Sequence, residues 1–310
     1  MMINLAKKEK NNIDYSGKPL VPVRHMNFLF DAEEMDHEFY LKSEQASAFF
    51  EALSIFLTFG EDLVIDTARF HRDFVKDPVL KQRVTALIGQ EAIHSKVHDE
   101  WNHGVLKEYN YPVELYKSIG SFFMENVLKK LPQPLKLSMT AGIEHFSAVL
   151  ADFMMKREGY FFETQDEKQR AMWLWHMMEE SEHKDIAYDL FQELSGNYYL
   201  RVLGFAIGLT IMSQTAAMST ITPLYRKPSK VFSYKYWKDA WRGAGLLFGV
   251  QNGVYGSSLG HIFDYLRPGF HPNDHDTLDY LDYYKEKLLN PDNGILVPYL
   301  TKEMIPAIRG

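Results

Sequence analysis

The chain has 310 residues, 46% of them hydrophobic and 14% aromatic, with a formal net charge of -7. That length suffices for one large core or two smaller ones, and no basic block is present to track a phosphate backbone, so no nucleic-acid partner is expected. Cysteine is absent, which excludes disulfides, thiolate catalysis and cysteine-held zinc or iron–sulfur sites and leaves His, Asp and Glu as metal ligands.

Residues 1–35 carry Pro19, Pro22 and many polar groups and read as an extended N-terminal arm. Their start lacks the apolar run of a signal peptide, so a cytoplasmic chain is expected. Strand signals then nearly vanish and helical periodicity dominates. A first helix is predicted from about Ser43 to Val75. Asp77-Pro78 supplies an N-cap and a proline at the first helical position, opening a second helix to about Glu108. Residues 113–131 form a shorter helix, closed by Leu131-Pro132-Gln133-Pro134. The next helix runs from about Leu135 to Phe162. Thr164 with Glu167 makes a capping box for a helix ending near Ser195-Gly196. Four long helices, with 113–134 where a crossover would lie, predict an all-α fold with a four-helix bundle over 36–196. Residues 197–310 are expected to add helices as a C-terminal cap on that bundle. Within the cap, 202–225 hold 24 positions without a charge. That is enough to cross a bilayer, but Gln214, several Ser and Thr, and Pro223 favour a helix buried in the protein or dipping into a membrane surface. Residues 243–260 are also uncharged and rich in glycine.

A Glu and a His three apart on a helix lie about 60° apart around its axis, so both can reach one ion. With 22 Glu and 12 His in the chain, roughly one such pair is expected by chance. Four occur: Glu34/His37, Glu91/His94, Glu100/His103 and Glu180/His183. Context separates them. Glu91 and His94 interrupt the apolar stripe Leu80, Val84, Leu87, Glu91, His94, His98, Trp101. Glu180 and His183 interrupt the stripe Trp173, His176, Glu180, His183, Ala187, Leu190, Leu194. Glu100/His103 lies on a charged row with Lys96 and Lys107, and Glu34/His37 has no stripe to interrupt.

A buried carboxylate is costly unless it is paired or binds a cation. The other two long helices each place one in an apolar stripe. Glu144 sits among Leu137, Ala141, Ala148 and Ala151, and Glu61 follows Phe50, Ser54 and Leu57. Glu51 is a rival on the more polar row of Thr58 and Asp62. One Glu from each of two helices, and a Glu-x-x-His from each of the other two, is the di-iron or di-manganese arrangement of helical bundles. The candidate ligands are therefore Glu61, Glu91, His94, Glu144, Glu180 and His183, for two metal ions per chain. The metal is expected to be iron, with manganese or zinc as alternatives. A metal-free Glu–His hydrogen-bond network is the competing reading. His98 and His176 share the ligand stripes, as additional ligands or as supporting donors. Glu179 could fix the tautomer of a ligand imidazole. His145 points about 100° away from Glu144 and reads as structural. His271 and His275 in the loop RPGFHPNDHD could form a separate metal pair.

Five stretches, FGEDLVIDTARFHRDFVKDPVL (59–80), GQEAIHSKVHDEWN (89–102), AGIEHFSAVLADFM (141–154), WLWHMMEESEHKDIAYDLF (173–191) and RPGFHP (267–272), resemble the ferritin-like family of predicted metal-dependent hydrolases. The resemblance implies the same six positions as ligands. It departs at Thr58, where the family pattern has Pro two residues before the Gly-Glu pair. Two chemistries compete. An O2-activating di-iron oxidase or oxygenase would use an apolar channel to shield a reactive intermediate. A two-metal hydrolase would activate water and favour a cation such as Arg69, Arg72 or Lys184 near the metals. The Phe, Leu, Met, Trp and Ala around the stripes favour oxidation of a small apolar or lipid-like substrate. Peripheral membrane contact through 202–225 and a homodimer are further expectations.

Overall fold

Ser43 caps the first helix by accepting from the Ala46 amide, and α1 then runs Glu44–Arg72. The computed structural model describes residues 13–31, 38, 40, 42–156, 166–275 and 277–307; the Glu34/His37 pair lies outside them. Asp77 accepts from the amides of Val79 and Leu80, and with Pro78 it opens α2, Pro78–Trp101, as expected. The α-helical winding stops earlier than predicted: Asn102–Leu106 form a wider π turn. α3 spans Val113–Asn126 and ends in a 3-10 turn, Leu128–Lys130. α4 spans Gln133–Lys156.

The next helix departs most from expectation. α5, Glu167–His183, is capped by Asp166, which accepts from the Gln169 amide; the Thr164 half of the predicted capping box falls outside the described residues. The helix stops at His183 and resumes as α6, Ile186–Leu194. Lys184 donates at 2.7 Å to both His275 O and Thr277 Oγ1. Asp185 accepts from Arg83 at 2.8 Å and Lys18 at 2.7 Å. These tertiary bonds tie down the two linking residues at the interruption, where Asp185 O already accepts from the Asp189 amide that opens α6.

Among the described residues the fold is all-α apart from one strand pair. α1 lies along α2, and α4 along α5 and α6; the pairs meet where α1 touches α4 and α2 touches α5 and α6. α3 leans on α1. The uncharged segment becomes two helices, α7 (Tyr198–Met212) and α8 (Gln214–Arg226), joined at Ser213. α7 beds on α4 and α8 on α1. Small residues set the first contact: a Cβ on Gly204 would stand 2.6 Å from the Ser138 carbonyl carbon, and one on Gly142 would stand 2.8 Å from Phe205 Cα. By length and composition Tyr198–Arg226 could cross a membrane, and 33% of its most apolar window is buried in the fold. α9 (Tyr234–Phe248) packs on α1, α10 (Leu259–Asp264) on α4, and α11 (Leu278–Leu288) on α5.

The strand pair was not anticipated. β1, Val23–Met26, pairs antiparallel with β2, Leu300–Met304, in the register Val23 to Met304 and Arg24 to Glu303, with an irregularity between His25 and Met26. Val23 packs on Gly89 of α2, where a Cβ would come within 2.7 Å of its side chain. The described part of the arm is thus pinned across α2, and it carries Arg24 inward, where the side chain is buried.

Candidate metal centre

Both Glu-x-x-His pairs that interrupt apolar stripes are buried, while Glu100 is exposed and His103 half-buried. α1 brings Glu61, α2 brings Glu91, His94 and His98, α4 brings Glu144, and α5 brings His176, Glu179, Glu180 and His183; all are buried. Their ligand atoms converge. One each from Glu91, His94, Glu180 and His183 lie within 4.8 Å of one another, and so do one each from Glu61, His94 and His176. Both groups could hold a metal ion. Glu144 belongs to neither; its Oε2 accepts from His183 Nδ1 at 2.7 Å. Glu51 is buried too, but it faces Arg226 at 3.9 Å, and burial pushes its carboxyl up to about 7.

Among the described residues, six buried atoms in the cluster have no hydrogen-bond partner: both oxygens of Glu61, Glu91 Oε1, His94 Nδ1, Glu180 Oε2 and His183 Nε2. His183 Nε2 and Glu91 Oε1 approach to 3.2 Å without the alignment of a hydrogen bond. At about 1–3 kcal/mol for each orphaned group, six would cost as much as the entire stability of a domain, about 5–15 kcal/mol. Protons or cations must offset that. Burial pushes the carboxyls of Glu61 and Glu91 well above the ordinary range and raises Glu144 as well. For His183 burial acts downward, but the charges of Glu144 and Glu180 outweigh it and lift the imidazole to about 10. Glu180 moves the other way, to about 2: its burial is outweighed by His183 and His176.

Two hydrogen-bond chains aim imidazole lone pairs into the cluster. In the first, Arg24 Nη1 donates to Glu179 Oε1 at 3.0 Å, and Glu179 Oε2 lies 3.0 Å from His94 Nε2. The carboxylate accepts from Nε2–H, which leaves Nδ1 to face Glu91 and Glu180, at 3.9 and 4.0 Å. Arg24 also grips Glu182 at 2.8 Å, and Glu182 accepts from Gln90 and Lys285 at 2.8 and 2.9 Å. In the second chain, Asn102 Nδ2 donates to Ser54 O, which orients its amide, and Ser54 Oγ donates to Asn102 Oδ1 at 2.8 Å. The Ser54 hydroxyl proton is then committed, so His98 Nδ1, 2.8 Å from Ser54 Oγ, must donate to it. Burial holds His98 neutral, so its Nε2 accepts from His176 Nδ1 at 3.1 Å. Burial also lowers His176 to about 4. With Nδ1 given to His98, Nε2 is the nitrogen turned to the cluster; it lies 3.1 Å from Glu180 Oε1, a contact that helps to hold that carboxyl low.

Sequence reasoning missed Arg24, Ser54 and Asn102 as supports of this cluster. Arg24 sits in Val21-Pro22-Val23-Arg24-His25-Met26, where Pro22 breaks any alternation, so no local signal marked the strand that carries it. His145 donates to the carbonyls of His261 and Ile262, at 3.1 and 3.3 Å, and takes no part in the cluster. The loop pair does not form: His271 Nε2 meets Asp189 at 3.0 Å and His275 Nε2 meets Asp264 at 3.0 Å. The three cations that a hydrolase would favour near the metals are engaged elsewhere or exposed. Arg69 is exposed, Arg72 pairs with Asp73, and Lys184 is bound to the 275–277 loop.

Beside the cluster lies an apolar cleft of about 390 Å³ between α1, α3, α7 and α8. Gly60 and Ile143, the chain neighbours of Glu61 and Glu144, form part of its wall, with Phe59, Phe123 and Met218. No curated protein and no solved structure matches the chain. A family model described as predicted metal-dependent hydrolase matches residues 22–276. That span runs from the start of β1 through all the helices that carry the cluster, and the chain belongs to the family of predicted metal-dependent hydrolases.

Proposed function

We propose that the chain is a hydrolase working with two divalent cations, acting on an ester or amide with an apolar body. The carrying observation is that buried Glu and His side chains meet in two groups that share His94, and that six of their ligand atoms have no hydrogen-bond partner among the described residues. Glu91, Glu180 and His183 would hold one ion, with Glu144 behind them as the acceptor of the His183 Nδ1 hydrogen bond. Glu61 and His176 would hold the other, with His94 able to serve either. Cations bound there supply Lewis acidity and a water that is nucleophilic at neutral pH.

The chain's own groups prepare that chemistry. Arg24 and Glu179 fix the His94 tautomer, while Ser54 and His98 fix that of His176. Glu144 holds the proton of His183 Nδ1, leaving Nε2 to face Glu91. The cleft accepts the apolar body and excludes water from that side, which strengthens the electrostatics of the cluster. Membership of the family supports hydrolysis.

A second reading, O2-dependent oxidation with iron, has a specific observation in its favour: Arg69, Arg72 and Lys184 do not face the cluster, and the cleft wall is almost wholly apolar. Loading the metal-free chain separately with zinc, manganese and ferrous ions separates the two. The proposal expects turnover of medium-chain acyl esters with zinc or manganese under argon. Turnover only with iron, at the expense of O2, would reverse the assignment.

A further inference from the structure

The chain is acidic overall, yet one surface is not. A concavity of about 910 Å³ between the start of α1, the 228–232 turn and α9 is lined by six cationic and three acidic side chains. Two of the acids are already engaged: Glu44 pairs with Lys230, and Asp239 accepts from the Gln45 amide. Lys227, Lys235 and Lys238 are exposed and form no ion pair among the described residues. Large apolar rings interleave with these cations. Phe232 is 92% exposed, Tyr234 82% and Trp241 83%. Tyr234, Lys238 and Trp241, at spacings of four and three, share one face of α9. A soluble surface rarely leaves such rings in water without a use for them.

The same surface leads to the cleft. α8 runs from Met218 in the cleft wall to Arg226 beside the cationic concavity. Met218 lies eight positions before the helix end at Arg226, about 12 Å of helix, and Lys227 follows directly. Ile221 and Tyr225 are exposed on the way. Across the cleft, α3 is joined to α8 by the Tyr116–Thr222 hydrogen bond of 2.8 Å, and it exposes Ile119, Phe122 and Phe123. Ile119 and Phe123 also line the cleft, so its mouth opens among exposed apolar side chains.

We infer that this surface docks on an anionic phospholipid bilayer, with Phe232, Tyr234 and Trp241 in the headgroup boundary and Lys227, Lys235 and Lys238 against lipid phosphates and carboxylates. Charge complementarity selects the occupant: uncompensated lysines beside aromatic rings are the composition of an interfacial anchor. The cleft mouth then faces the acyl layer, from which an apolar substrate can enter without crossing water. That last step rests on the hydrolase reading; the docking does not, so vesicle binding and metal-dependent turnover fail separately.

The test is sedimentation of the full chain with phosphatidylcholine vesicles, with and without phosphatidylserine. Binding is expected with phosphatidylserine and should weaken as salt rises. At about fivefold per lysine near an anionic surface, the combined Lys227→Gln, Lys235→Gln and Lys238→Gln change should weaken partitioning about a hundredfold. Phe232→Ser with Trp241→Ser should weaken it at fixed charge. Unchanged circular dichroism controls for folding. Equal partitioning to neutral and anionic vesicles, no partitioning to either, or indifference to both sets of substitutions would overturn the proposal. So would a concentration-dependent dimer in light scattering that the same substitutions dissolve, since the surface would then belong to a second copy.

Discussion

An imidazole serves a cation only when its lone pair faces the ion, and at the residue scale this cluster is organised around that requirement. His94 and His176 present opposite ring nitrogens, because different neighbours take the other proton: Glu179 for His94, and His98 for His176. The tautomer of His176 traces back to one hydroxyl, since the Ser54 proton is committed to Asn102. Ser54→Ala should therefore weaken divalent-metal affinity by about 10–100-fold, the usual effect of removing a ligand's supporting hydrogen bond, without changing helix content. Competitive titration against a chromogenic chelator measures it. Unchanged affinity would mean that His176 needs no orientation from this chain, or is no ligand.

At the element scale, the α4–α7 contact anchors the cap on the helix that carries Glu144. It depends on Gly204, where any β-carbon would press into Ser138. Gly204→Val should cost at least about 1–3 kcal/mol, the range for overpacking a tight contact, read as a lower denaturant midpoint; an unchanged midpoint would show that the two helices can separate freely. The helices themselves were legible because their signals are local: Asp77-Pro78 caps α2 as written, and Leu80, Val84 and Leu87 form the stripe that Glu91 and His94 interrupt. Burial of the Glu-x-x-His pairs could be read from the same periodicity. The break at Lys184–Asp185 could not, because it is set by Lys18, Arg83, His275 and Thr277, distant in sequence. β1 and β2 escaped for the same reason, as they pair across almost the whole chain and neither is long enough to declare itself alone. Arg24 was lost with them, although it supports Glu179 and through it His94.

On the scale of the whole molecule, five buried carboxyls — Glu61, Glu91, Glu144, Glu179 and Glu180 — meet in a helical interior, and among the described residues Arg24 is the Arg or Lys seen to pair with one of them. Without a cation, the cluster holds protons that the unfolded chain would release, on Glu61, Glu91 and His183. Binding a metal must expel them, so affinity should rise with pH across the neutral range. The most direct measurement is calorimetric titration of the metal-free chain with manganese under argon, in two buffers of different ionisation enthalpy. The account predicts about two equivalents per chain with net release of protons, both abolished by Glu91→Ala combined with Glu180→Ala. Saturation well below one equivalent, or two equivalents persisting in that double variant, would contradict it.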